Sequence, residues 1–200
     1  ADGNESTFSN EVSAMAGFVA NGLVAYYPFD GDADDQTLNG NNGIENGGVL
    51  PTSDRFGYEN TAYSFDGEND YFTIPYNNTL PIGAESRTYS VWVWLNDSST
   101  DNYIIDIGNN YNGQEFALVY NGGGGILVDF YNSACDSYIT GEYQKWQHIV
   151  TTYNSNEVII YLNGTQIAYC ENINLNTPND PQAFIGTRIT HQSITFPDGY

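Results

Sequence analysis

Four carboxylates crowd one short turn of this 200-residue sequence: Asp30, Asp32, Asp34 and Asp35, set between the apolar run 23–29, which reads as a strand, and the Asn/Gly-rich run 38–43. Carboxylates this close repel one another, and a divalent cation would relieve that repulsion. The amides of Asn39, Asn41 and Asn42 add hard oxygen donors of the kind calcium gathers in sets of about six to eight. The competing description is a solvated turn in a very acidic chain. The Asp-x-Asp-x-Asp-Gly loop with a distal Glu, which would mark an EF-hand, is absent.

Hydrolytic chemistry finds less support. Glu68 and Asp70 stand two residues apart in a turn with no third acid following. His148 lies in a strand-like pattern and His191 in a polar stretch, and neither has a Gly-x-Ser-x-Gly or reactive-cysteine context. No constellation supplies a nucleophile, a base and an orienting group together, so the expectation is a non-catalytic protein. Tyr103, Tyr111, Tyr120 and Tyr131 sit in or beside Asn/Gly-rich loops. There a tyrosine ring can stack on a sugar face while Asn and Asp take its hydroxyls; their competing role is as half-buried strand residues. Cys135 and Cys170 lack the CxxC spacing of a zinc site. They form either one bridge in an oxidising compartment or two small buried thiols.

The elements that must position these residues read as strands almost throughout. Residues 89–95 are apolar on both faces, as in a central strand covered on each side. Runs at 103–107, 116–120 and 126–131 follow, separated by Asn/Gly-rich turns. Asn163-Gly164 between two β-branched runs is a type I′ hairpin signal, because both turn residues need positive φ. Only Glu11–Ala20 leans towards helix, without caps. Short strands with frequent turns predict an all-β, two-sheet sandwich or jelly roll. Three tryptophans and 17 tyrosines can fill such a core. The 25 acids against four basic residues give a formal charge of −21. That charge disfavours nucleic acid and anionic membrane surfaces, and no apolar run is long enough to span a bilayer as a helix.

Five segments, met in the expected order, resemble the laminin-G-like, concanavalin A-like jelly-roll domains of secreted multidomain proteins. They are Leu23-Val-Ala-Tyr-Tyr-Pro-Phe-Asp-Gly31, Ala62-Tyr-Ser-Phe-Asp-Gly67, Tyr89-Ser-Val-Trp-Val-Trp-Leu95, Trp146-Gln-His-Ile-Val150, and Tyr161-Leu-Asn-Gly164 with Ala183-Phe-Ile-Gly186. The resemblance implies two antiparallel sheets packed face to face, with binding loops along one rim. It places a calcium ligand at Asp35, with oxygens from Asn39, Asn42 and Asp66, and it implies an extracellular or cell-surface module that recognises a glycan or a surface protein. In that setting a Cys135–Cys170 disulfide is favoured over free thiols.

The chain departs from the pattern at both ends. The closing strand of such domains, of the form Phe-x-Gly-x-Ile-Asp-Asp-Val, is missing where the sequence reaches Asp198-Gly-Tyr200. Residues 1–20 precede the expected domain, 21–200, and Phe8–Ala14 resembles the last strand of a fibronectin type III module. Phe8, Asn10, Val12 and Ala14 share one face of that segment. It is a candidate strand donor to a sheet edge, its own domain's or that of another copy, and in the second case copies would assemble head to tail.

Overall fold

The computed structural model describes residues 22–96 and 100–188. These residues form thirteen strands and no helix: β1 (Ile44–Asn46), β2 (Leu50–Thr52), β3 (Ala62–Ser64), β4 (Tyr71–Thr73), β5 (Arg87–Trp94), β6 (Asn102–Gly108), β7 (Glu115–Tyr120), β8 (Gly125–Asp129), β9 (Ala134–Thr140), β10 (Trp146–Asn154), β11 (Glu157–Leu162), β12 (Thr165–Cys170) and β13 (Gln182–Ile185). A seven-stranded sheet runs β1-β4-β13-β6-β7-β8-β9, a four-stranded sheet runs β12-β11-β10-β5, and β2 pairs with β3. Every pairing is antiparallel. The result is an all-β jelly-roll sandwich.

The period of two along each strand decides which side chains meet between the sheets. Phe116, Leu118 and Tyr120 of β7 and Ile126 and Val128 of β8 face Ile149 and Tyr153 of β10 and Val158 and Ile160 of β11 across one continuous core. The hairpin between β11 and β12 turns at Asn163 and Gly164, with φ of 48° and 79°. That is the backbone a type I′ turn requires. Cys135 on β9 and Cys170 on β12 are joined by a disulfide with Cα atoms 5.8 Å apart. Since β9 and β12 are edge strands of different sheets, the bridge staples the sandwich at one side.

Tyr120 is a core residue, 0 % exposed, its hydroxyl accepting a hydrogen bond from Gln147 Nε2 at 3.1 Å. That excludes it as a ligand-stacking ring. Gly141 packs directly on it, and a Cβ there would lie 1.2 Å from the Tyr120 oxygen. A ring locked in the core cannot step aside, so Gly141→Ala is expected to cost about 3 kcal/mol. For a chain of this size the melting temperature should then fall by roughly 6–12 °C, measured by circular dichroism.

Two sequence expectations need correcting. Residues 23–29 are not in a strand: the carbonyls of Leu23 and Val24 are taken by Asn39 Nδ2, that of Val24 also by Asn41 Nδ2, and that of Tyr26 by the Gln36 N–H. Side-chain amides have replaced the neighbouring strand that a ladder needs. Residues 89–95 are not covered on both sides either. β5 is the edge of the small sheet, with Trp92 and Trp94 about 40 % exposed on its outer face. Trp92 stacks on His148 at 5.0 Å and carries the Arg55 guanidinium at 4.4 Å. Rings that satisfy one another in this way explain apolar residues on a solvent face.

Candidate functional site

The acidic turn folds as a self-satisfied clasp. Asp35 Oδ1 accepts from the N–H groups of Tyr26 (3.0 Å) and Thr37 (2.9 Å), and Oδ2 from the Thr37 hydroxyl (2.7 Å) and the Asn41 N–H (2.9 Å). Two carboxylate oxygens offer about four lone-pair sites, and all four are filled by protein donors. Although burial opposes ionisation, the Thr37, Tyr26 and Asn41 donors together hold the Asp35 carboxyl below the usual range. Asn42 Oδ1 accepts the Asp35 N–H, and Asn39 Nδ2 donates to the carbonyls of Leu23 and Val24. Asp66 belongs to a separate turn, its Oδ1 accepting from Glu68 and Asn69. As folded, Asp35 has no lone pair to spare for a calcium ion, which would have to displace the donors that close its turn. No group of three or more His, Cys, Asp or Glu side chains among the described residues is arranged to hold a metal.

The chemically richer place is the face of the seven-stranded sheet turned away from the core. Between Tyr103 and Ile105 the register of β6 against β7 slips by one residue. This bulge turns Ile104 and Ile107 into the core while Tyr103 and Asp106, three positions apart, share the outer face. Tyr103 pairs with Val119, which pairs with Leu127; Asp106 pairs with Ala117, which pairs with Asp129. Glu115 follows on the same face of β7, opposite Gly108. Ala117 and Val119 form a small apolar floor with Tyr103 and Leu127. Beyond β13 the chain turns at Gly186, whose N–H donates to Ile104 O at 3.1 Å. That turn delivers the Arg188 guanidinium to 4.7 Å from the centre of the Tyr103 ring.

A cavity of about 390 Å³ opens here, its polar lining made by Asp101, Tyr103, Asp129, Tyr131, Asn132, Ser133 and Arg188. That is within the size range of small-ligand sites. Tyr131 holds a positive φ of 66°, a strained conformation of the sort that collects at binding sites. The Tyr103 hydroxyl donates to Asp129 Oδ2 at 3.3 Å, and Asp101 Oδ1 anchors the Gly122 N–H at 2.9 Å. Tyr103 and Tyr131 thus meet at one cavity. Tyr111 stands outside it, exposed on the turn between β6 and β7. Phe8, Asn10, Val12 and Ala14 lie outside the described residues.

Further along the same face sits a buried acid pair, Asp106 and Glu115, both 0 % exposed. Burial first, and then the neighbouring Asp106 and Asp129 carboxyls, push Glu115 up to about 10, with Arg188 opposing. Neither Glu115 oxygen receives an N–H or hydroxyl donor. Its contact is with the Asp106 carboxyl, a pairing that requires a proton on one of the two. Burial also raises Asp129, against the Tyr131 N–H, Arg188 and the Tyr103 hydroxyl. It raises the Tyr103 phenol as well, which therefore remains a donor.

Sequence patterns of period two overlook this site because the bulge breaks the period. One signal was present: Asp106, Glu115 and Asp129 each interrupt or border an apolar strand run, where an acid is rare without a purpose.

Residues 66–199, more than half of the chain, match the Laminin G-type family model described as the concanavalin A-like lectin/glucanases superfamily. The chain belongs to this superfamily. Among solved structures it is similar to domain 4 of AbnA, an extracellular arabinanase of Geobacillus stearothermophilus determined in complex with arabinotriose. The TM-score is 0.68 at 18 % identity, over 88 % of this chain and 89 % of that domain. It is also similar to part of botulinum neurotoxin type C, whose cell entry depends on two ganglioside molecules, with a TM-score of 0.59 at 16 % identity over 86 % of this chain and 44 % of that one. At these identities the likeness is one of fold. No curated protein sequence matches the chain.

Proposed function

We propose that this protein is a non-catalytic glycan-binding module of an extracellular or cell-surface protein, and that it binds through the outer face of its seven-stranded sheet. The cavity bounded by Tyr103, Asp129, Tyr131 and Arg188 carries this reading. It combines aromatic surface with converging hydrogen-bonding groups, the composition that suits a hydroxyl-rich ligand. The proton-bearing acid pair lies below the surface, so the groups that meet a ligand are recognition groups. Glycan binding by similar folds, arabinotriose in one and gangliosides in another, agrees with the reading. A disulfide between the sheets suits an oxidising compartment. Titration calorimetry with neutral oligosaccharides tests it. Tyr131→Ala is expected to weaken binding at least tenfold, about 1.4 kcal/mol, with the melting temperature unchanged. Unaltered affinity in that variant would remove the cavity from the account.

One observation favours a second role in assembly. Val91 and Val93 of β5 point inward yet are only half-buried, and no described strand covers the outer edge of β5. An open edge of eight residues is a template for strand addition. In this reading Phe8–Ala14 of a neighbouring copy occupies it. Deleting residues 1–16 should then abolish any concentration-dependent growth in light scattering; growth that persists after the deletion contradicts it.

A further inference from the structure

The Arg188 guanidinium reaches the cavity without a hydrogen bond or ion pair of its own among the described residues, and its Nε is sealed from solvent. Its contacts are the face of the Tyr103 ring at 4.7 Å and the longer-range field of Asp129 and Glu115. A guanidinium carries five N–H donors and no acceptor; of its nitrogens only Nε is sealed, so the terminal pair stays open to a ligand oxygen in the cavity. The charged groups that share the cavity with it are both acceptors, the carboxyls of Asp129 and Asp101, beside the neutral polar side chains of Tyr131, Asn132 and Ser133. One ligand group satisfies both sides together: a hydroxyl, which accepts from Arg188 and donates to a carboxyl. A ligand carboxylate satisfies the arginine but donates nothing and brings a further negative charge beside Asp101 and Asp129. A ligand ammonium satisfies the acids but offers nothing to Arg188 and meets its positive charge.

We infer that the cavity selects uncharged sugars bearing a vicinal diol, one hydroxyl accepting from Arg188 and its neighbour donating to Asp129. This rests on the glycan-binding reading and adds to it a sign and a pair of specificity-determining residues. Arg188 lies two residues beyond the Gly186 turn and Asp129 at the end of β8, so the pair is set by the sheet and not by a long loop.

The test is calorimetry on the full chain with three sets of trisaccharides: neutral ones of arabinose, xylose, mannose and glucose, a galacturonic acid trimer, and a glucosamine trimer. At least one neutral trisaccharide is expected to bind, with both charged trimers at least tenfold weaker than it. Arg188→Lys keeps the charge and loses the planar fork, and Asp129→Asn keeps the shape and loses an ionisable acceptor. Each is expected to weaken the neutral ligand at least tenfold, with melting curves confirming that the variants are folded. A charged trimer that binds as well as the neutral ones, or both variants binding normally, overturns the diol assignment while glycan binding itself stands. Failure of every trisaccharide to bind overturns both.

Discussion

Reducing the Cys135–Cys170 bridge is expected to lower the stability of the fold by roughly 3–4 kcal/mol. The cysteines lie 35 residues apart in sequence, and closing a loop of that length removes about this much free energy of disorder from the unfolded chain in the chain-entropy model. Position adds to length. The bridge ties β9, the edge of one sheet, to β12, the edge of the other, so its loss frees the two layers to separate where no further strand of the described residues flanks either. For a chain of this size the melting temperature should drop by roughly 10 °C. A double Cys135→Ala, Cys170→Ala variant should reproduce the effect of reductant and make the protein indifferent to it. Identical melting curves with and without reductant would show that the bridge contributes no stability.

The second large effect is a loss of stability as pH rises from about 4.5 towards about 10, centred on Glu115. Its carboxyl, ordinarily near 4.5, is pushed up to about 10 in the fold by burial and by Asp106 and Asp129. Below about pH 4.5 the group is protonated whether the chain is folded or not, and its protonated form is the one the fold tolerates. Between those values the folded chain holds a proton that the unfolded chain has released. Each rise of one pH unit then costs the fold up to about 1.4 kcal/mol, a slope that ends once the folded carboxyl also ionises. Sharing the proton with Asp106 flattens the slope without changing its sign. Glu115→Gln keeps the neutral shape and discards the titration. It is expected to match the parent near pH 4.5, to exceed it by about 1–3 kcal/mol at pH 8, and to show a flatter profile of denaturant midpoint against pH. Parallel profiles for the two proteins would mean that Glu115 is not the group responsible.

The all-β sandwich was legible because short runs rich in β-branched and aromatic residues, such as those that form β7, β10 and β11, alternate with Asn/Gly-rich turns along most of the chain. The I′ turn at Asn163-Gly164 was legible because only a few residue types accept positive φ at both positions. The edge placement of β5 was not, since Trp92 and Trp94 are apolar but are satisfied by His148, Trp146 and Arg55 rather than by a covering layer. The Asp30–Asp35 turn drew attention through its charge density, yet Asp35 spends both oxygens on four protein donors. Composition counts carboxylates and does not reveal which of them are already occupied. The cavity was half-legible. Tyr103 and Tyr131 stand out by type and loop context, whereas Asp129 and Arg188 join them only through the slip in β6 and the turn after β13, two long-range facts with no local signature.

Chemical-shift mapping tests the central claim most directly. Backbone amide spectra of the full chain should be recorded during titration with the neutral trisaccharide that binds most tightly in calorimetry. Saturable shifts are expected at residues 101–106, 127–134 and 186–188, the chain segments that surround the cavity, while the outer face of β5 and β10 stays unmoved. Shifts confined to the Trp92–His148 face or to the 30–42 clasp, or no shifts with any neutral trisaccharide, would contradict a glycan site on the outer face of the seven-stranded sheet.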